Sequence, residues 1–395
     1  MTRVLSGLLL AALILGAAPS RTAVAADTEL VIGVLERADD VRYRRSRTAA
    51  QFMMQPLGRP FDGAKVALRE LKFQGQAAGV AFKLERLKAR SVAELQAQID
   101  AAEAAGIRLL IADLPAADLK ALAEATAGRE LLLFNVSARD DALRQEACQA
   151  HLMHLLPSYA MSTDALAQYL SFRKWRRVLS LEGPLPADRQ LAAAFARAAK
   201  RYGLKFVDRR PFKLSNDPRE RELHDIDLLT VGADYDVLFI ADSDGEFARN
   251  VPYHTVAPRP VVGSEGLAPL AWHWSWERHG APQLNRRFQK KAKRQMRDVD
   301  WAAWLAVKAI GEAALRTGGG DFAKLRAYLK SPDLVLDGFK GNRVNFRPWN
   351  NQLRQPILLA THNWVVERAP IPGFLHEKND LDTLGYDERE SRCRF

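Results

Sequence analysis

Asp242, Asp244 and Glu246 fall within five positions at the end of an apolar run, DYDVLFIADSDGEF (residues 234–247). Carboxylates packed that closely need a counter-charge, so the pattern points to a cationic ligand: an amine, or a hard metal ion held by oxygen atoms. Calcium or a lanthanide would suit the trio, with Ser243 and backbone carbonyls beside it, although DSDGE lacks the spacing of a full calcium-binding loop. The plainer reading is that these acids cap the following helix and stay hydrated. Other apolar runs end in the same way: Glu36 closes ELVIGVLE, Asp113 closes IRLLIAD, and Glu265 stands in RPVVGSEG. A second chemistry is aromatic. Trp272, Trp274 and Trp276 alternate in AWHWSWERHG, and Tyr43 sits in the basic stretch VRYRRSR. Such rings stack on an aromatic alcohol or acid, or on a cation, and serve equally well as core packing. His273 and His279 stand too far from other ligand types to read as metal ligands.

The elements that would hold these residues alternate regularly. ELVIGVLE, FDGAKVALRELKFQG, AFKLERLKA, SVAELQAQIDAAEAAG, IRLLIAD, PAADLKALAEATAG and RELLLFNVS read as strand, helix, strand in turn, with Ser91 and Glu94 forming a capping box. After LMHLLPSYAMS the pattern restarts with TDALAQYLSFRKW, RRVLSLEG, ADRQLAAAFARAAKRYG, LKFVDRRPF, RERELHDIDLLTVG and DYDVLFIAD. Two α/β units, each a mostly parallel sheet with helices on both faces, make a two-lobed protein, and ligands in such sheets sit beyond the carboxyl ends of the strands. The helices from Asn285 to Lys330 and the strand-like RVNFRP, QPILLATH and NWVVERA are too few for a third lobe, so the chain must cross between lobes more than once. The expected division is 27–160 and 269–332 for the first lobe, 161–268 and 333–370 for the second and the crossing, and a tail over 371–395. GGGD, from Gly318 to Asp321, reads as the stop of one helix and the start of the next, not as a phosphate cradle.

Residues 1–26 have the form of a secretory leader: Arg3, an apolar core, then small residues with an A-x-A pattern at Ala23 and Ala25. The chain is therefore expected to be exported, soluble and periplasmic. Removing the leader takes Arg3 and Arg21, leaving 56 basic residues against 47 acidic, a formal +9. The positive charge clusters in Val41–Arg47 and Arg286–Arg297, read as solvated faces or a docking surface for an anionic partner. No nucleic-acid module accompanies it. The two cysteines, Cys148 and Cys393, have no metal-site spacing, and in an oxidising compartment they are expected to pair, tying the tail to the first half of the chain. No nucleophile elbow, zinc-protease helix or nucleotide-binding glycine loop occurs in a supporting context, so no enzyme activity is expected.

The first strand LVIGVLE, the helix opening PFDGAKVALREL, the mid-chain restart and the late GFKGNRVNFRPWNNQLRQPILLATHNWVVE together resemble the type I periplasmic solute-binding proteins, in particular the branched-chain amino acid type that serves ABC transporters. The tail GFLHEKNDLDTLGYDERESRC is similar to a subgroup associated with PQQ-dependent alcohol dehydrogenase systems. The resemblance implies hinge closure on a small solute, an ABC permease and ATPase as partners, and a quinoprotein dehydrogenase nearby. Amino-acid-binding members carry a Ser/Thr-rich loop after the third strand. Here Asp113 and Leu114 stand in that place, and a carboxylate facing a carboxylate is repulsive. The rival expectation is a periplasmic scaffold or sensor whose degenerate cleft binds a protein partner.

Overall fold

The computed structural model describes residues 28–44 and 57–395. The leader, and the part of the basic stretch beyond Arg44, lie outside the described residues. In the first lobe the strands β1 (Thr28–Arg37), β2 (Val80–Ala89), β3 (Leu109–Asp113), β4 (Leu132–Asn135) and β5 (Leu152–His154) form a parallel sheet in the order β2-β1-β3-β4-β5. The apolar runs of β1, β3, β4 and β5 are nearly continuous because both faces are covered, whereas β2, at the sheet edge, leaves Lys83, Glu85, Arg86 and Lys88 exposed. Ile32, Val34, Leu109 and Ile111 enter one core, while Leu35, Leu110 and Ala112 enter the other. On the faces lie α1 (Phe61–Ala77), α2 (Val92–Ala104) and α3 (Ala116–Ala125). Half of the expected capping box at α2 is formed: the Glu94 amide donates to the Ser91 hydroxyl at 3.1 Å, while the Glu94 carboxylate takes the Arg90 amide, one residue before the cap, at 2.9 Å.

After α4 (Tyr159–Phe172) the second lobe repeats the scheme. Strands β6 (Arg177–Glu182), β7 (Lys205–Pro211), β8 (Val237–Ala241) and β9 (Val261–Gly263) make a parallel sheet in the order β7-β6-β8-β9, with α5 (Pro186–Tyr202) packed on it. The segment RERELHDIDLLTVG, expected as one helix, is two short ones, Arg221–His224 and Ile226–Thr230. Asp225 lies between them and accepts the Asp227 amide, so its side chain ends one turn and caps the next.

Returning to the first lobe after β10 (Ala268–Leu270), the chain adds α6 (Ala281–Ala292), α7 (Asp298–Thr317) and α8 (Phe322–Lys330). Gly318, in the left-handed region, stops α7, and Asp321 caps α8 through the Lys324 amide. Of RVNFRP, Arg343–Val344, as β12, pairs with β11 (Leu336–Asp337), and Phe346 makes a single antiparallel bridge to Leu353. Arg347 in that stretch is drawn away to the Asp382 carboxylate at 2.8 Å. β13 (Ile357–Ala360) and β14 (Val365–Ala369) then join β10 in an antiparallel sheet between the lobes. Alternation divides β13 between the two cores: Leu358 and Ala360 face the first, Ile357 and Leu359 the second. Among the described residues no helix is long and apolar enough to cross a membrane.

Three passages of chain link the lobes, at Leu155, Ala271 and Gln355, and a buried polar relay fastens them. The Lys340 ammonium donates to the Ala271 carbonyl (2.8 Å), the Gln355 side-chain oxygen (2.9 Å) and the Pro356 carbonyl (2.7 Å), and Gln355 donates to the Leu155 carbonyl (2.6 Å). The tail runs alongside. The Gly385 amide donates to Asp164 on α4 of the second lobe, and Cys393 is bonded to Cys148 in the first.

Candidate functional site

A cavity of about 380 Å³ opens between the lobes beside these crossings. Its walls come from the loop after β9, from the crossing through Trp272, from the start of α7 and from the end of β13. The start of α7 is positioned by Gly63 on α1, where a Cβ would lie 2.0 Å from the Asp300 carbonyl oxygen, so only glycine lets the helices approach. A buried pair then orients the first turn. Arg294 donates twice to Asp300, at 2.6 and 2.7 Å, while Asp300 also accepts the Arg297 amide.

Arg297 is thereby presented to the cavity with its charge uncompensated. One Nη donates to the Gly58 carbonyl at 3.1 Å, the buried Nε has no partner, and no carboxylate pairs with it among the described residues. Asp298 beside it is already engaged, accepting the Trp272 amide at 3.0 Å and paired with Arg139. From the second lobe comes Glu265, which accepts only the adjacent Gly266 amide and has no ion pair among the described residues. The remaining wall is apolar and aromatic, with Leu270, Trp272, Trp274, Met296 and Val299. Trp272 is 1% exposed, stacked on Trp301 and bonded through its indole N–H to Asn285, so it is core packing that shows an edge to the cavity; Trp274 is 39% exposed. Trp276 is buried and donates to the Phe339 carbonyl. His273 also lines the cavity; burial lowers its pKa, which keeps the ring neutral, and Nδ1 meets Ser275.

Of the acids expected at the cleft, only Glu265 reaches this cavity. Glu36 is buried but paired with Arg86 at 2.8 and 3.1 Å. Asp113 accepts the Tyr43 hydroxyl at 2.8 Å and Arg42 at 3.2 Å, with Arg59 at 3.6 Å. Burial pushes the Asp113 carboxyl up, while Arg42, Tyr43 and Arg59 pull it back. Tyr43 is itself sandwiched by the guanidinium of Arg59, 4.5 Å from its ring centre, and burial holds its hydroxyl protonated. Asp113 and Tyr43 therefore have their counter-charges from within the chain and do not call for a cation.

The trio at the end of β8 organises a turn. Asp242 accepts the amides of Gly245, Phe247 and Ala248 at 3.2, 3.0 and 2.7 Å, Asp244 accepts the Glu246 amide, and Glu246 pairs with Arg249 at 3.3 Å. Burial, with Asp244 adding to it, pushes the Asp242 carboxyl up to about 6. Among the described residues no group of three or more His, Cys, Asp or Glu side chains is arranged to hold a metal ion. Asp242, Asp244 and Glu246 are thus brought together as the acids of a turn, hydrogen-bonded to backbone amides and an arginine.

The sequence reading missed Arg297, Asp298 and Met296. The signal was present as an acid three residues after Arg297 at the head of a long apolar helix, which marks a helix start and places Arg297 at the strand-end side of the lobe.

A family profile described as periplasmic binding protein matches residues 54–241. Among solved structures, an ABC transporter substrate-binding protein from Sphaerobacter thermophilus is 16% identical, with 91% of this chain and 100% of that one covered and a TM-score of 0.69. A branched-chain amino acid ABC transporter periplasmic ligand-binding protein from Burkholderia xenovorans LB400 is 14% identical, covering 92% and 99%, TM-score 0.69. A solute-binding protein of an ABC transporter from Rhodopseudomonas palustris BisB5, in complex with 3,4-dihydroxybenzoic acid, is 11% identical, covering 84% and 93%, TM-score 0.62. No curated protein matches the sequence significantly. The fold is that of the type I periplasmic binding proteins: two lobes, each a parallel sheet flanked by helices.

Proposed function

We propose that this protein is the periplasmic solute-binding component of an ABC importer, working with a permease and its ATPase, and that its ligand is a small carboxylate with an apolar or aromatic body. The observation that carries the reading is the cavity between the lobes, where Arg297 from one side and Glu265 from the other stand without ion-pair partners among the described residues, on a mostly apolar wall. A guanidinium without a counter-ion favours a carboxylate, and a free carboxylate opposite favours an ammonium or a hydroxyl donor. About 380 Å³ is within the range of small-ligand sites. Leucine, bound by a Desulfitobacterium hafniense neighbour, and 3,4-dihydroxybenzoate both meet this description. The reading replaces a purely cationic ligand with one that carries a carboxylate. In it the lobes 27–160 with 269–332, and 161–268 with 333–370, close about the crossings fastened by Lys340. A link to PQQ-dependent alcohol oxidation rests on the tail resemblance alone and is tested by whether the protein binds an acid product of such oxidation.

The experiment is a thermal-shift screen of the exported protein against leucine, 3,4-dihydroxybenzoate, calcium and lanthanum. A ligand at a hundred times its dissociation constant stabilises by about 2.7 kcal/mol. Arg297→Met should abolish the response to either acid, while Glu265→Gln should weaken leucine more than the aromatic acid. A shift with calcium or lanthanum alone, reversed by a chelator, would return the site to the cationic class. Silence throughout, with no ligand-dependent compaction in small-angle scattering, would favour the scaffold.

A further inference from the structure

The outer face of the first lobe carries a second feature, which shares no lining residue with the cavity between the lobes. Helices α1 and α6 lie side by side, and between them runs a groove of about 500 Å³ lined by Lys65, Arg69, Arg287, Lys290 and Lys291. A second hollow, of about 410 Å³, continues it over β2, sharing Lys65, Arg69 and Lys291 and adding Lys72 and Phe82. The acid in the groove is already consumed: Glu70 accepts Arg287 at 2.7 Å and the Trp304 indole at 3.1 Å. Lys65 comes no closer than 4.0 Å to Asp62, and Arg69, Lys72, Lys290 and Lys291 have no ion pair among the described residues. The helical period places Lys65, Arg69, Lys72, Phe73 and Gln76 along one exposed stripe of α1. Within that stripe Phe73 is 81% exposed, against nothing that would cover an apolar ring.

Lysines and an arginine mostly without ion pairs among the described residues, around an outward aromatic ring, are the composition of a surface that lies on an anionic lipid headgroup layer, charge drawing it in and the ring entering the interface. The lysines favour lipid over a folded acidic protein. They are point charges on flexible stems, without the planar forks that select a fixed carboxylate geometry.

We propose that the α1–α6 face docks this protein on an anionic phospholipid surface. Docking would hold a solute-binding protein near a membrane-embedded partner, yet the inference stands on surface chemistry and does not depend on the cleft ligand.

The test is co-sedimentation of the exported protein with phosphatidylcholine vesicles, with and without phosphatidylglycerol, over a range of salt. Binding should require phosphatidylglycerol and weaken with salt. Each of Lys65→Gln, Lys72→Gln, Lys290→Gln and Lys291→Gln should lower partitioning roughly fivefold, and Phe73→Ser should lower it further at unchanged salt slope. A control removes four cations from the second lobe, Arg176, Lys200, Lys205 and Arg259, and should leave binding within about twofold, the melting temperature showing that every variant folds. Equal losses in that control and in the variant that combines the four groove lysine changes would reduce the effect to net charge and overturn the proposal. So would displacement by millimolar inorganic phosphate, which would make the groove a small-anion site, or binding to polyglutamate but not to vesicles, which would point to an acidic protein.

Discussion

Asp113 in the first lobe and Asp242 in the second both close an apolar strand of a parallel sheet, and both are buried. Their surroundings are opposite. Asp113 is met by cations and a phenol, Arg42, Arg59 and Tyr43, which the first lobe delivers from the segment after β1 and the approach to α1. Asp242 meets no cationic side chain among the described residues; its oxygens are taken up by three backbone amides of the turn that follows. The difference teaches that acids at strand ends cannot be added up to give the charge of a cleft. On one side they are neutralised by arginines, on the other they organise a loop, and the charge left to face a ligand sits elsewhere, on Arg297 and Glu265.

Replacing each acid by its amide separates the two cases, and the largest effect should fall on the first lobe. Asp113→Asn leaves Arg42 and Arg59 beside a side chain that offers donors, and should destabilise by about 3 kcal/mol in urea unfolding at pH 7, the scale of a buried pair that loses one member. A loss below about 1 kcal/mol would mean that the arginines find water, and that the first-lobe wall is wetter than its burial indicates.

A smaller effect appears in pH dependence. Asp242 titrates near 6 in the folded protein because burial penalises its charge; unfolded, it should titrate near the ordinary value of about 3.9. Between these values the folded state binds more protons than the unfolded one. Stability therefore falls as pH rises through 6 and is recovered as pH drops toward 4, by at most about 1.4 kcal/mol per pH unit for one group. Asp164, also raised to about 6 by burial, contributes with the same sign. Subtracting the profile of Asp242→Asn from that of the wild type isolates Asp242, and a flat difference curve would show that its carboxylate is solvated.

Much of this architecture could be read directly. Continuous apolar runs separated by amphipathic helices dictate a covered parallel sheet, and the restart after Ser162 dictates a second one. The site was only partly readable, for a physical reason. Glu265 and Trp272 lie at a strand end and on a crossing, places that topology alone marks. Arg297 was hidden in a basic run, Arg286 to Arg297, that reads as one solvated face, yet the structure divides that run three ways. Arg294 is buried against Asp300, Arg287 closes on Glu70, and Arg297 turns into the cavity. Partners more than 200 positions away, Gly58 and Glu70, make those distinctions, and charge patterning along a chain carries no information about them.

The smallest expected effect is the most discriminating for the ligand. At pH 7 Asp242→Asn removes a charge that burial disfavours and that Asp244 repels, which stabilises the fold. It also trades a two-oxygen acceptor for a single amide oxygen facing three backbone N–H groups, which destabilises it. Asn caps such turns almost as well as Asp, so the two terms should nearly cancel, leaving a change within about 1 kcal/mol of either sign. Urea unfolding with and without a chelator reads it. If the loss exceeds about 2 kcal/mol, and only when calcium is present, the carboxylate is holding a cation as well as a turn; the second-lobe wall would then be a metal site, and the contrast with the arginine-neutralised first lobe would concern the source of the counter-charge and not its need.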